Sequence, residues 1–330
     1  MEIFFNEKEQ SFLSNILNIN LSEILLRMSI LEGIFEIDEY SDQIVNIVKE
    51  SNIDEYHKII FDNASNYIKA RNYSEMYLNS FKYYYNCQRR EFDELSSVRG
   101  HKEESFRIYK EHLLSWECSL INLLLSLISK NEDSGNKKIV AVFESCQANK
   151  HPMGMLLEVK RIRDSLLSSA YYCPYVTLST NKRMFKLVLQ EYLPEILHFV
   201  CHGEENGDLV FFNGNYTGVK CFSPEYLEKI ICMYGSKQME FIYLNSCYSK
   251  KFVKKILVNN CKNYILYHLG YEGENNDRQA IKFSEEFYTN LAVYNQTIVH
   301  TFNDVYNNFP NVMVSCEGST INYKDNLFFV

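Results

Sequence analysis

His202 and Cys247 are the residues of this 330-residue chain whose types and surroundings are suited to covalent chemistry. His202 is followed by Gly203 in HFVCHGEENGDLVFF (His198–Phe212), and Cys247 lies in IYLNSCYS (Ile242–Ser249). A thiolate is the attacking species in cysteine catalysis. An adjacent imidazole takes the thiol proton or holds it as an ion pair. The same imidazole then protonates the leaving amine. Gly203 places an unobstructed backbone N–H beside the histidine. With the N–H of Cys247 it makes a candidate oxyanion hole, in which one donor is worth about 3–4 kcal/mol.

Two such residues act together only if the fold brings them to neighbouring strand ends. In open parallel sheets, reactive groups collect outside the carboxyl ends of the strands. From Lys138 onward the sequence alternates between strand and helix patterns. KIVAVFE (Lys138–Glu144) reads as a buried strand, MLLEVKRIRDSLL (Met155–Leu167) as a helix and YYCPYVTL (Tyr171–Leu178) as a second strand. Thr180 is the expected N-cap of a helix through Tyr192. EILHFVC (Glu195–Cys201) is a third, continuous apolar strand that ends at His202. DLVFF and NYTGV form an expected hairpin turned by Asn213 and Gly214, and Ser223 and Pro224 supply the N-cap and N1 of the next helix. MEFIYLN (Met239–Asn245) is a strand that delivers Cys247, with a helix expected from Tyr248 or Ser249. NYILYHL (Asn263–Leu269) follows, and Asp277 opens a helix to about Leu291. The last segment, INYKDNLFFV (Ile321–Val330), reads as an edge strand or as a tail that pairs with a partner. The predicted class is α/β: a mostly parallel sheet over residues 138–330 with helices on both faces.

Ahead of it, residues 1–130 hold two glycines, Gly33 and Gly100, and no proline. Apolar residues recur there at helical spacing (Ile16, Ile19, Ile24, Leu25; then Ile44, Ile47, Val48), which predicts an all-helical domain. ARNYSEMYLNSFKYYYNC (Ala70–Cys87) has the flavour of a tetratricopeptide helix, but no repeat of about 34 residues follows it. The polar stretch NEDSGNK (Asn131–Lys137) has the composition of a linker.

A net charge of −8 argues against a nucleic-acid binder, which needs a basic face to neutralise phosphates. The lysines at 250, 251, 254 and 255 are spaced as the solvated face of a helix. The start, MEIFFNEKEQ, lacks a basic leader region. The longest apolar run, SLINLLLSLI (Ser119–Ile128), is far short of the about 20 residues of a membrane span. Ten cysteines without regular spacing or a CxxC pair are expected to be reduced thiols in a cytoplasm, with no zinc site.

The two motif segments together resemble the histidine and cysteine motifs of CHAT domains, bacterial members of the caspase–separase group of peptidases. His202 precedes Cys247 by 45 residues, near the about 50 of caspase-type enzymes. The resemblance extends to Glu191–Leu197, with its P-E-I-L, before the histidine strand. It extends also to NDRQAIKFSEEFYTNL (Asn276–Leu291), similar to the family's helix of form D-x-x-A…F…FY. It covers about residues 138–310. It implies a caspase-like α/β sandwich, cysteine endopeptidase activity, a catalytic pair of His202 and Cys247, and no cofactor. Two positions depart from the pattern. Ser246 stands where members usually carry a small residue such as alanine, and LGYEGENNDR (Leu269–Arg278) is charged where they often carry small residues.

Other residues admit plainer readings. His198, Cys201 and His202 share a strand, but a strand does not bring i and i+4 together as a helix does, so His198 is expected to be a buried histidine rather than a metal ligand. Cys146 has no histidine placed beside it. Ser246 and Ser249 lack a G-x-S-x-G elbow. For specificity, Glu144, Asp208 and Asp277 are expected near the rim of the cleft, where a carboxylate favours a basic residue before the scissile bond; the plain alternative is that they are solvated or cap helices. By the resemblance, the N-terminal helices bind an activating protein, a nucleotide signal or a second copy. The activated domain then cleaves a protein substrate, a gasdermin-like one among the candidates, in antiphage defence. The alternative is an inert caspase-like adaptor that scaffolds a complex, to which the aromatic stripe Tyr83–Tyr85 and Phe92 contributes as core or as groove.

Overall fold

β-branched and aromatic residues crowd KIVAVFES, and it forms strand β1 (Lys138–Ser145), buried from Val140 onward. The same logic yields β2 (Tyr172–Thr177), β3 (Ile196–Gly203) and β6 (Phe241–Asn245), all continuous apolar runs of the kind buried on both faces. The computed structural model describes residues 5–27, 53–71, 120–129, 136–145, 153–212, 219–249, 266–271, 277–309, 314–319 and 328–329. Several sequence expectations lie outside them: most of the tetratricopeptide-like stretch, the lysines at 250–255, Cys146, the Asn213–Gly214 turn and the stripe at 83–92.

The chain divides into two units, Met1–Glu132 and Asp133–Val330; the division falls inside Asn131–Lys137. In the first unit the described residues include helix α1 (Glu7–Leu17), helix α2 (Ile53–Ala70) and helical segments over 21–27 and 120–129. Asn6 and Glu9 close a capping box on α1, each side chain bonded to the other's backbone N–H. Among the described residues no helix is long and apolar enough to cross a membrane.

The second unit is a mixed α/β domain built on one sheet in the order β2-β1-β3-β6-β7-β8-β9. The pairs β1–β2, β1–β3, β3–β6 and β6–β7 (Leu266–Tyr271) are parallel. β8 (Val314–Ser319) joins β7 antiparallel, and β9 (Phe328–Phe329) joins β8 as the outermost strand. The antiparallel hairpin of β4 (Leu209–Phe212) and β5 (Val219–Phe222) branches from the end of β3. Because β4 pairs with His202 and Gly203, β3 runs two residues beyond the apolar stretch that marked it in sequence.

Helices α3 (Met153–Leu167) and α6 (Asp277–Tyr294) pack together on one face, where Arg161 pairs with Glu285 and Ser165 Oγ meets Thr289 Oγ1 at 3.0 Å. Helix α4 (Lys182–Tyr192) covers the other. Its Phe185 lies edge-on to Phe143 at 4.9 Å and 5.5 Å from Phe199. The expected cap of α4 needs correction by one residue. Asn181 is the N-cap and accepts from the N–H groups of Arg183 and Met184, while Thr180 is occupied with Thr177. An amide oxygen caps as well as a hydroxyl, and the Thr180 hydroxyl is already within 2.7 Å of that of Thr177. After α6, helix α7 (Ile298–Asn308) and β8 carry the chain back to the sheet; neither was expected from sequence.

Helix α5 (Pro224–Tyr234) starts as expected, with Ser223 as N-cap and Pro224 in the first turn. It carries a pH-sensitive element. Burial, and then the charge of Glu225, raise the Glu228 carboxyl from 4.5 to about 7. One of its oxygens is buried without a hydrogen-bond partner. A carboxyl raised on folding contributes stability below its unfolded pKa and loses it as pH rises through the folded value. The midpoint of thermal unfolding should therefore fall between pH 5 and 8. Glu228→Gln should flatten that slope; an unchanged slope would count against the assignment.

Cys232 is disulfide-bonded, which corrects the expectation of reduced thiols throughout. Cys173, Cys201, Cys221 and Cys247 are thiols rather than half-cystines.

Candidate functional site

The chain order along the sheet reverses between β1 and β3: β2 follows β1 to one side, and β3, β6 and β7 follow on the other. Such a reversal opens a crevice at the carboxyl ends of the strands that flank it. His202 stands at the end of β3, and Cys247 stands two residues past the end of β6.

Register brings them together. β3 and β6 pair in parallel from Ile196↔Phe241 to Val200↔Asn245. That pairing ends two residues short of both His202 and Cys247, so the two follow from neighbouring ends of adjacent strands, which are about 4.8 Å apart. The strand ends also touch. A Cβ built on Gly203 would fall 2.0 Å from the Cys247 carbonyl oxygen and 3.2 Å from Ser246 Oγ, so only glycine fits there. Glu204 N–H donates to the Asp208 carbonyl at 2.9 Å across the turn between β3 and β4.

The thiol is presented on a tight turn. Tyr248 adopts φ 57, a left-handed conformation uncommon outside glycine and asparagine. Ser249 Oγ donates to the Leu244 carbonyl at 2.9 Å and closes the turn around Cys247. Ser246 is 3% exposed, and its hydroxyl has no hydrogen-bond partner. Cys247 is half-buried and His202 is exposed. A half-buried thiol beside an accessible imidazole can serve as a nucleophile with its base, and the two N–H groups at these strand ends suit an oxyanion.

The three carboxylates expected at the rim are placed differently from one another. Glu144 is corrected: it is wholly buried, at 0% exposure, and accepts from the Ser179 N–H at 2.8 Å. Its own carbonyl accepts from Thr180 N–H, so it anchors the β2–α4 turn, in which Ser179 has φ 46, and is not offered to a substrate. Asp208 is half-exposed on the β3–β4 turn, its carboxylate accepting from Asn206 Nδ2 at 3.2 Å. Asp277 is the first residue of α6, and its side chain lies outside the described residues. Near Asp208, Cys221 is exposed on β5; partial burial, then the charges of Glu204 and Asp208, push its thiol up.

His198 is buried, at 0% exposure, and belongs to a polar cluster that sequence reasoning missed. Its Nδ1 lies 3.1 Å from the Tyr288 hydroxyl, and its Nε2 lies 3.3 Å from Glu158 Oε1, at ion-pair distance but not aligned as a hydrogen bond. Asn245, Ser284 and Tyr243 complete it. Burial, then the Glu158 and Tyr172 charges, hold the Tyr288 phenol well above its ordinary value. One sequence signal pointed here: Glu158 shares the helical stripe of Val159, Ile162 and Leu166, all buried. Among the described residues no group of three or more His, Cys, Asp or Glu could hold a metal ion.

No protein-family model and no curated protein matches the chain. The site therefore stands on its own geometry and on the motifs quoted above.

Proposed function

We propose that the chain is a cysteine endopeptidase of the caspase-like, CHAT type. Cys247 is the nucleophile, and His202 is the base that takes its proton and later returns it to the leaving amine. The N–H groups of Gly203 and Cys247 hold the developing oxyanion. The observation that carries this reading is the β3–β6 register, together with the contact of Gly203 on the Cys247 carbonyl. The spacing of HFVCHG and IYLNSCYS supports the family assignment. In this reading residues 1–130 form a helical regulatory region that answers to a partner protein or a nucleotide signal. The natural substrate is a specific protein, a gasdermin-like one among the candidates, cut during antiphage defence.

The test compares the protein with Cys247→Ala and His202→Ala in bacterial cells under phage infection, with N-terminal peptides read by mass spectrometry. New termini that need both residues are the expected result, and they report the residue before the scissile bond directly. With Glu144 buried, a basic residue there would have to be read by Asp208 or Asp277. If all three proteins protect cells equally and no dependent terminus appears, the inert adaptor replaces the enzyme.

A further inference from the structure

Beneath the two strand ends lies a carboxylate that the reaction itself does not use. Glu158, on α3, is 2% exposed; one of its oxygens is bonded to β6 and the other to α6, where it also lies close to His198 of β3. Oε2 accepts from Asn245 Nδ2 at 2.5 Å. Oε1 accepts from Ser284 Oγ at 2.7 Å and lies 3.3 Å from His198 Nε2. Asn245 is two residues before Cys247 on β6, and His198 is four before His202 on β3. Strand side chains alternate between faces, so His198, Asn245 and His202 share a face, and Cys247 follows Asn245 in the turn that ends β6.

Stability alone is a poor explanation for this cluster. A buried carboxylate pays a desolvation cost of several kcal/mol, and well-packed apolar residues of like volume often do as well or better. What a polar cluster adds is direction. An apolar contact between β3 and β6 would survive a slip of two residues, because the same faces would still meet. Such a slip would carry Cys247 about 7 Å along β6 relative to His202. Glu158 opposes it, because one carboxylate reaches both Asn245 and His198 only in the register observed.

We infer that Glu158 is a positioning residue: by hydrogen-bonding Asn245 while its other oxygen packs against His198, it fixes the register in which His202 meets Cys247. The inference rests on the peptidase reading of that pair. It also specifies the chemistry of the bond. Asn245 must donate to residue 158, whose other oxygen accepts from Ser284 Oγ. Glu158→Gln supplies one acceptor oxygen where two are used, and Asn245→Asp sets carboxylate against carboxylate. The double exchange reverses the polarity and restores the bond: the new amide donates to the new carboxylate and still accepts from Ser284.

The experiment measures the alkylation rate of Cys247 by iodoacetamide from pH 5 to 9 in the full-length protein, resolved by peptide mass spectrometry. Exposed Cys221 serves as internal reference, and thermal midpoints are recorded alongside. A misplacement of ~1 Å costs about 100-fold in a positioned reaction. Loosening the clamp should slow Cys247 about tenfold and move its pH profile toward that of His202→Ala, with Cys221 unchanged. The double exchange should recover most of the loss. Singles that lower the thermal midpoint yet keep the wild-type profile would overturn the inference. Should the singles fail to fold, the double exchange decides: a wild-type profile supports the clamp, and a His202→Ala profile overturns it. If His202→Ala itself leaves the Cys247 profile unchanged, the peptidase reading fails first, which is a separate outcome.

Discussion

Gly203→Ala should lower the reactivity of Cys247 about 100-fold while the sheet stays folded. The added methyl would sit 2.0 Å from the Cys247 carbonyl oxygen and 3.1 Å from its carbon, where real contacts of this kind keep at least 3.0 Å. The obstacle is backbone, so no side-chain rotation relieves it. Either the end of β3 or the turn at Cys247 must move by about 1 Å, the scale at which positioned reactions lose about two orders of magnitude. Both movable parts lie at the rim, outside the buried stretch of the sheet, so the thermal midpoint should fall only modestly. Gly235→Ala is the comparator. Its methyl would meet the Ile231 carbonyl oxygen at 2.6 Å between α5 and the start of β6, so it should lower stability and spare Cys247. The readouts are the alkylation rate at Cys247 and the thermal midpoint. Wild-type reactivity in Gly203→Ala would mean that the two strand ends do not touch in solution.

The alternation of strand and helix after Lys138 was legible because parallel strands buried on both faces are continuous apolar runs. A hairpin after β3 was legible, but its second strand was misplaced: NYTGV was expected to return directly from Asn213 and Gly214, whereas β4 pairs with Val219–Phe222, with Phe212 opposite Val219. His202 and Cys247 were found because few residues combine reactivity with a place at a strand end. Glu144 misled for the same reason: a carboxylate at a strand end looks available, and sequence does not reveal that the Ser179 N–H needs an acceptor there. The one-residue shift of the α4 cap came from adjacent candidates, Thr180 and Asn181, between which only the Thr177 contact decides. β8 was missed because its segment, VSCEGS, has neither a continuous apolar run nor a strict alternation. Glu158 was missed because a single acid on an apolar stripe is informative only once its partners, 87 and 126 positions away in sequence, are known.

Phe199→Ala should do the reverse of Gly203→Ala and remove stability while sparing the site. Phe199 is fully buried between the histidine cluster's strand neighbours, His198 and Val200, but it faces the opposite side of the sheet. There it stacks on Phe143 at 5.2 Å and meets Phe185 at 5.5 Å and Phe211 at 5.9 Å. Truncating a core phenylalanine costs about 3–5 kcal/mol, a large share of the about 5–15 kcal/mol that holds a domain folded. Chemical denaturation of the full-length protein measures it. Below the unfolding transition, Cys247 should keep its alkylation rate within about threefold, because the register of β3 on β6 is held from the other face by Glu158. A loss of reactivity in folded Phe199→Ala would mean that the aromatic core, and not the polar cluster, sets the geometry of the pair. The two substitutions lie four residues apart on one strand, and opposite outcomes would assign fold stability to one face of β3 and reactivity to its end.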